Sequence, residues 1–373
     1  MKFAIFTHVL HYKEAHKYYA YAPYVTEMNI WEKYVDNLII VAPLSKNTKT
    51  NIDSAYTHSN IKFLPIKQFH FLNLRSVLLA LVIVPKIGWT IFKAMRDADH
   101  IHLRCPGNVG LLACFIQILF PKKIKTAKYA GNWDPNAKQP LSYKLQKWIL
   151  SNTFLTKNMQ VLVYGDWKNQ TKNIKPFFTA TYYDSEKEIP LKRNYSETLK
   201  FVFTGSLVEG KRPLLAIKTV EVLHKKGIKV VLDVYGDGIL KDDLLKYIHQ
   251  NNLQHVVYVH GNQDKHTIKE ALKSAHFLLL LSKSEGWPKA IAEAMFFGVI
   301  PIATAVSCLP NMLDFGKRGI LVEAELSKIV ERIVSHLDDE LLLNTMSEAA
   351  YKWSQKYTLD VFEKEIVKLI TRK

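Results

Sequence analysis

The chain has 373 residues, 48% of them hydrophobic and 23% charged, with three cysteines and a formal net charge of +17. That length suits two domains, and the ordinary composition excludes a low-complexity or short-repeat protein. The charge is uneven: residues 1–200 hold 28 basic and 13 acidic side chains, whereas residues 201–373 hold 23 and 21. The first half would therefore meet an anionic partner (nucleic acid, an anionic membrane surface or a phosphorylated substrate), unless the excess serves solubility alone.

The opening MKFAIFTHVLHYKE has an apolar run too short for a signal peptide, and KFAIFT (2–7) within it reads as a buried strand. PYVTEMNIWEKY (23–34) has helical spacing, with Pro23 near its start and Val25, Met28, Trp31 and Tyr34 three residues apart. NLIIVAP (37–43) is the next strand and stops at a proline. The apolar run 76–95 is interrupted by Pro85 and Lys86, and 109–120 ends in PKK, so both read as buried helices too short to span a bilayer. HIHLR (100–104), KTAKYA (125–130) and MQVLVYG (159–165) are further strands. Cys105, Cys114 and Cys308 show no CxxC spacing and read as buried thiols of a reducing cytoplasm.

The polar stretch 181–200 carries Pro190, lacks a sustained period and reads as the domain linker. Alternation then restarts, with strands at 200–206, 229–238, 256–261, 277–282 and 299–304, helices between them, and a helical C-terminus. The pattern predicts an α/β protein of two tandem doubly wound, Rossmann-like domains. The boundaries are 1–190 and 198–355, with a C-terminal helix in 356–373 packing back on the first domain. Ligands of such sheets bind past the carboxyl ends of the strands, so the expected site is a cleft across which the two domains face each other.

The densest signal is SKSEGWPKAIAEAMFFGVIPIAT (282–304). Pro288 suits helix position N1 and Gly298 a C′ stop, which puts Glu285 in the loop before the helix and Glu293 in its second turn. Gly286 would let backbone approach a ligand closely, and the N–H groups near Lys289 and Ala290 would favour an anion. A phosphate there would have a carboxylate on each side, the layout of a nucleotide-diphosphate sugar, whose ribose and sugar hydroxyls suit carboxylate acceptors. The plainer reading is a capped surface helix with two incidental acids.

This segment resembles the Glu-x7-Glu motif of the family 4 (group 1) glycosyltransferases, retaining enzymes of the GT-B fold. The resemblance implies that Glu285 contacts the donor sugar and Glu293 the nucleotide ribose. FTGSLVEGKRPLLAI (203–217) is similar to the family's Gly-Arg-Leu-x-x-x-Lys: Gly205, Leu207 and Lys211 match, but Ser206 stands where the arginine belongs. Lys211 is then the diphosphate ligand, with Arg212 a substitute for the missing arginine; a solvated surface lysine is the bland alternative. VYGDG (234–238) also matches, although a tight turn explains its glycines as well. VVYVHGNQ (256–263) falls where the family flanks the base.

In the first domain the match is one of pattern. The family's Gly-Gly loop is replaced by HVLHYKEAHKYYAYAPY (8–24), whose Tyr18 and Tyr19 suit sugar stacking or, equally, packing of this loop onto the domain. KYAGNWDPN (128–136) lacks the histidine some relatives carry and offers Asn132 instead. Asp97 and Asp99 spell DxD but precede a strand, the wrong end for a ligand. Arg104 ends that strand, placed for an acidic acceptor or for an ion pair.

The expected activity is that of a hexosyltransferase-type glycosyltransferase, moving a sugar from a nucleotide-diphosphate sugar to a hydroxyl acceptor with retention, in bacterial cell-surface polysaccharide or lipopolysaccharide assembly. Lys211 and Glu285 carry the chemistry. Gly205, Ser206, Arg212, Gly286, Trp287, Pro288, Lys289, Ala290 and Glu293 bind the donor. Tyr18, Tyr19, Arg104 and Asn132 face a saccharide or lipid-linked acceptor. No metal or further cofactor and no nucleic acid is expected. The expected location is the cytoplasm, at the inner face of the plasma membrane if Lys122, Lys123, Lys125 and Lys128 meet anionic phospholipid. The alternative is a nucleotide-sugar epimerase of the same fold, which would need acid and base residues in both domains.

Overall fold

The computed structural model describes residues 1–50, 52–69 and 74–371, and the side chains of all of these except 74–82. Two compact units emerge: Met1–Phe178 with Phe362–Lys373, and Thr179–Val361. The division falls ahead of the linker expected at 181–200, because Thr181 and Tyr182 already belong to the second unit: the Tyr182 ring packs on Phe296 and Phe297.

The first unit is built on seven parallel strands in the order Ile174–Phe177, Met159–Tyr164, Ile124–Tyr129, His100–Cys105, Lys2–Phe6, Asn37–Pro43 and Ile61–Ile66. The apolar runs of Lys2–Phe6, Asn37–Pro43 and Met159–Tyr164 are what a sheet packed on both faces requires. On one face, the helices Leu74–Asp97, Asn108–Ile116 and Leu141–Ser151 share a single core with alternate strand residues; Met95, Ala113 and Ile149 meet Phe6, Leu103 and Val163 there. Of the expected helix 76–95, the side chains of 76–82 lie outside the described residues. Its later turns bury Ile87 and Ile91 but expose Trp89. The expected helix 109–120 stops at Ile116 and passes into a 3-10 turn, Gln117–Leu119.

The opposite face holds an unusual pair. His100 and His102, two apart on one strand, point the same way and both reach the Thr126 hydroxyl at 2.9 Å. Phe3 and Trp31 pack around them. The tyrosine-rich stretch expected as a loop is a hairpin instead, His11–Glu14 with Lys17–Tyr21, joined by Asp53–Ala55 into a small antiparallel sheet. Phe362 meets Phe177 and Phe178, and Glu363 accepts from Lys33 and Tyr34, so the last helix's end belongs to this unit.

The second unit has six parallel strands in the order Val257–Gly261, Val230–Tyr235, Leu199–Thr204, Phe277–Leu280, Ile300–Thr304 and Ile320–Val322. Leu199–Thr204 pairs with Val230–Tyr235 on one side and Phe277–Leu280 on the other. The chain leaves this strand in one direction and returns on the other, so the loops after residues 204 and 280 flank the topological switch point. In the first unit the same point lies between Lys2–Phe6 and His100–Cys105.

Burial pushes His11 and His100 down to about 4, and His102 well below its usual range. These rings stay neutral in the fold, while the unfolded chain takes up protons below about pH 6.5. Stability is therefore fully present above that pH and falls as the pH drops toward 4, by up to about 3 kcal/mol each for His11 and His100. Urea unfolding at pH 7.5 and pH 4.5 measures this, and the drop shrinks in His100→Gln.

Candidate active site

The loop after Leu199–Thr204 is fixed by backbone contacts with the loop after Val230–Tyr235. Gly205 N–H donates to the Tyr235 carbonyl at 3.0 Å, and Leu207 N–H to that of Asp237 at 2.9 Å. The approach is close enough that a Cβ on Gly236 would overlap the Gly205 carbonyl oxygen, and one on Gly238 would stand 2.5 Å from that of Leu207. The glycines of VYGDG are thus explained by packing between two loops. A 3-10 turn, Glu209–Lys211, follows, and Arg212 adopts a left-handed backbone (φ 51°) to start the helix Pro213–Lys225.

Across the switch point, Lys283 N–H donates to the Gly210 carbonyl at 2.8 Å and ties the two loops together. Glu285 is buried, with its own N–H on the Ser307 hydroxyl at 3.1 Å. Lys211 Nζ donates to both carboxylate oxygens of Glu285, at 2.7 and 2.8 Å. The structure therefore joins the two residues expected to carry the chemistry. Arg212 donates to the Leu281 carbonyl at 3.0 Å, and Ser206 is exposed.

The helix of the opening motif runs Lys289–Phe296. Pro288 is its N-cap and not the expected N1 residue: its ψ of 87° is not helical, and its carbonyl already accepts from Ile291 and Ala292. Lys289 and Ala290 are thus the first two helical residues, half-buried like Gly286 before them. Gly298 takes the left-handed stop (φ 71°), and Arg193 donates to the carbonyls of Phe297 and Gly298 at 2.7 and 3.0 Å. Glu293 lies in the second turn, and its carboxylate accepts from the Thr181 hydroxyl at 2.7 Å. Trp287 stacks on Trp353 and meets Tyr357 edge-on, and Cys308 Sγ donates to the Gly286 carbonyl at 3.2 Å. Thr181 and Ser307 escaped sequence reasoning: one lay in the polar linker, the other in a turn without a motif.

In the first unit, Arg104 forms an ion pair. Its Nη1 lies 3.1 Å from Glu27, and Lys128 reaches the same oxygen at 2.8 Å. Glu27 had a legible signal, since Tyr24, Glu27, Met28 and Trp31 have the spacing of one helix face and all four are buried. Lys128 and Lys125 are buried, which removes them from the lysines expected to face phospholipid. Both sit inside the strand Ile124–Tyr129 at the middle of the sheet, and Lys125 donates to the Phe120 carbonyl at 3.1 Å. Tyr18 stacks on Phe63 with centroids 4.7 Å apart, and Lys49 lies over the Tyr19 ring. Asn132 accepts from the Asp134 N–H at 2.9 Å in a tight turn. Among the described residues no three His, Cys, Asp or Glu side chains gather as metal ligands.

Residues 184–353 match the family model described as glycosyl transferases group 1. This part of the chain belongs to that family. Over 181 residues it is 26% identical to WcaL of Salmonella typhimurium, which carries a colanic acid biosynthesis glycosyltransferase name, covering 46% of this chain and 45% of the relative. Over 224 residues it is 25% identical to the poly(ribitol-phosphate) alpha-N-acetylglucosaminyltransferase of Staphylococcus aureus, covering 58% and 44%. The chain spans about half the length of these curated relatives. Anabaena HepE, crystallised with UDP and glucose, superposes with a TM-score of 0.71 at 11% identity, over 100% of this chain and 99% of its own. WaaG, a glycosyltransferase involved in lipopolysaccharide biosynthesis, does so at 0.66 and 12%, over 100% of both. At such identities the likeness is one of fold, and the fold is GT-B: two Rossmann-like domains.

In the first unit, Glu27 is the carboxylate that two cations share. Glu27→Ala is expected to cost about 3–5 kcal/mol, the usual result of stripping a buried ion pair of one partner. Lys122→Ala, at an exposed position, stays within about 0.5 kcal/mol. Thermal unfolding of both variants checks the contrast.

Proposed function

We propose that this chain is a glycosyltransferase that moves a sugar, of hexose type, from a nucleotide-diphosphate sugar to a hydroxyl acceptor with retention. Its place would be the assembly of bacterial cell-surface polysaccharide or lipopolysaccharide. The observation that carries this reading is the Lys211–Glu285 pair, held at the switch point of the second sheet inside the family's own segment.

Lys211 and the N-terminus of the helix Lys289–Phe296 take the diphosphate, and their positive charge gains most as negative charge develops on the leaving oxygen. Lys211 then divides its donors between phosphate and Glu285, and the Glu285 carboxylate turns to the sugar hydroxyls. The bond from the anomeric carbon to the diphosphate oxygen breaks on the face where the acceptor oxygen bonds. The acceptor proton passes to a phosphate oxygen of the leaving group. Glu293, steadied by Thr181, accepts from the ribose hydroxyls. The acceptor, a saccharide or a lipid-linked one, belongs to the first unit, and the enzyme works at the inner face of the plasma membrane. The relatives' and neighbours' names support this reading by their surface-polymer acceptors and their bound UDP and glucose.

A panel of nucleotide sugars given to the purified protein tests it. One donor is expected to raise the melting temperature and to release its nucleotide when acceptor is present. Lys211→Ala lowers kcat/KM about 100- to 1,000-fold. Glu293→Ala weakens donor binding about 10-fold or more through the lost charge-assisted bonds. A donor that stabilises wild type and Glu293→Ala equally refutes the ribose assignment, and isomerisation of the donor without transfer refutes the transferase.

A further inference from the structure

The helix Leu141–Ser151 turns an apolar stripe to the solvent. Its core side is ordinary: Gln146, Ile149 and Leu150 are buried. Its outward positions are Leu141, Lys144, Leu145 and Trp148, spaced as one helix face, and all four are exposed. Leu141 is 83% exposed and Trp148 58%, and Phe154, just past the helix, is 74% exposed. A surface helix normally sets charge opposite its buried face, so this stripe is apolar where water should be met.

The feature extends over the neighbouring elements. The three helices that cover one face of the first sheet share a single core, so their outer sides form the outside of the same layer. The helix Leu74–Asp97 exposes Trp89 from this layer, and the 3-10 turn after Asn108–Ile116 exposes Leu119. Lysines lie among them: Lys93 stands over the Trp89 ring at 5.7 Å and Lys157 over Phe154 at 5.1 Å. Acids are fewer. Between Lys86 and Gly165 seven basic residues are exposed against two exposed acids, Asp97 and Asp99.

We propose that this outer helix layer docks on a bilayer surface rich in anionic lipid. Tryptophan, phenylalanine and leucine would enter the headgroup boundary while lysines pair with lipid phosphates. Contact surfaces between proteins are depleted in lysine, so the combination of exposed lysines, exposed aromatics and few acids favours lipid over a protein partner. The assignment moves the membrane face from the strand lysines Lys125 and Lys128, which are buried, to the outer sides of the helices Leu74–Asp97, Asn108–Ile116 and Leu141–Ser151. It rests on the membrane location proposed above, and it accounts for an acceptor carried on lipid.

Flotation with vesicles of neutral lipid alone, or with about a third of phosphatidylglycerol, tests the proposal, with donor-induced thermal shift measured in parallel. The wild type is expected to float with the anionic vesicles and to be released by salt. The double variant Leu145→Glu/Trp148→Glu binds at least about 10-fold more weakly, and Lys144→Gln and Lys157→Gln about 5-fold each. All keep the donor shift, which shows the fold intact. Absence of wild-type binding at low salt overturns the proposal, as does a double variant that floats like wild type. A wild type that self-associates through this layer and ignores vesicles also overturns it, in favour of a second copy of the chain. A missing donor shift in every protein, with flotation intact, strikes the transferase reading and leaves the docking face standing.

Discussion

In a parallel sheet packed on both faces, a side chain with polar capacity to spend has room only past the carboxyl ends of the strands. The second unit obeys this constraint closely. Leu199–Thr204 and Phe277–Leu280 are apolar almost throughout, and the polar chemistry begins in the loops that follow them. Strand order decides which loops meet. Because Leu199–Thr204 has its sequence neighbour on one side and a late strand on the other, Lys211 and Glu285, 74 residues apart, come within hydrogen-bond distance. Gly236 and Gly238 let a third loop support the first from behind without occupying the site.

The first unit breaks the same constraint, and each breach is compensated. His100 and His102 sit mid-sheet and share one threonine hydroxyl, staying neutral because a charge there would be desolvated. Lys125 also lies within the sheet, and burial lowers it to about 8. Lys128 and Arg104 have Glu27, and Lys128 also stands over the Phe362 ring at 5.0 Å. The helix carrying Glu27 and the chain's last helix therefore both bear on one buried charge cluster.

This explains how far the sequence could be read. The alternation of apolar strands and helices was legible because both periods repeat many times, and the Glu285 motif because a proline, a glycine and two acids hold fixed places on one short helix. Pairings through single hydroxyls were not legible: Thr181 on Glu293 and Ser307 on the Glu285 N–H depend on loops whose paths no periodicity encodes. The hairpin at His11–Tyr21 was missed because its tyrosines and lysines resemble a loop rather than a strand of one buried face. The lysines of Ile124–Tyr129 misled for the opposite reason. Charge counted along a sequence is taken as surface charge, and a lysine buried against a carboxylate or a carbonyl adds nothing to the outside.

The family pattern puts an arginine at position 206, and this chain has serine. Arg212 is nearby, yet its left-handed backbone starts a helix and its guanidinium donates to Leu281, a carbonyl at the end of the central strand. That bond ties the arginine to the scaffold. Under the proposed reading, the mobile positive charge for a leaving diphosphate rests on Lys211, assisted by the helix N-terminus at Lys289. Such a site draws less on bidentate guanidinium recognition and more on a point charge that a neighbouring carboxylate already orients. Glu285 then has two tasks on one side chain. It holds Lys211 in place before the donor arrives, and it turns to the sugar once the phosphates take part of the lysine's donors. Weakening a buried carboxylate's contact with its cation is offset only when ligand hydroxyls replace what is lost. A bare diphosphate would leave Glu285 partly uncompensated, so the pair itself favours the intact nucleotide sugar over the nucleotide product.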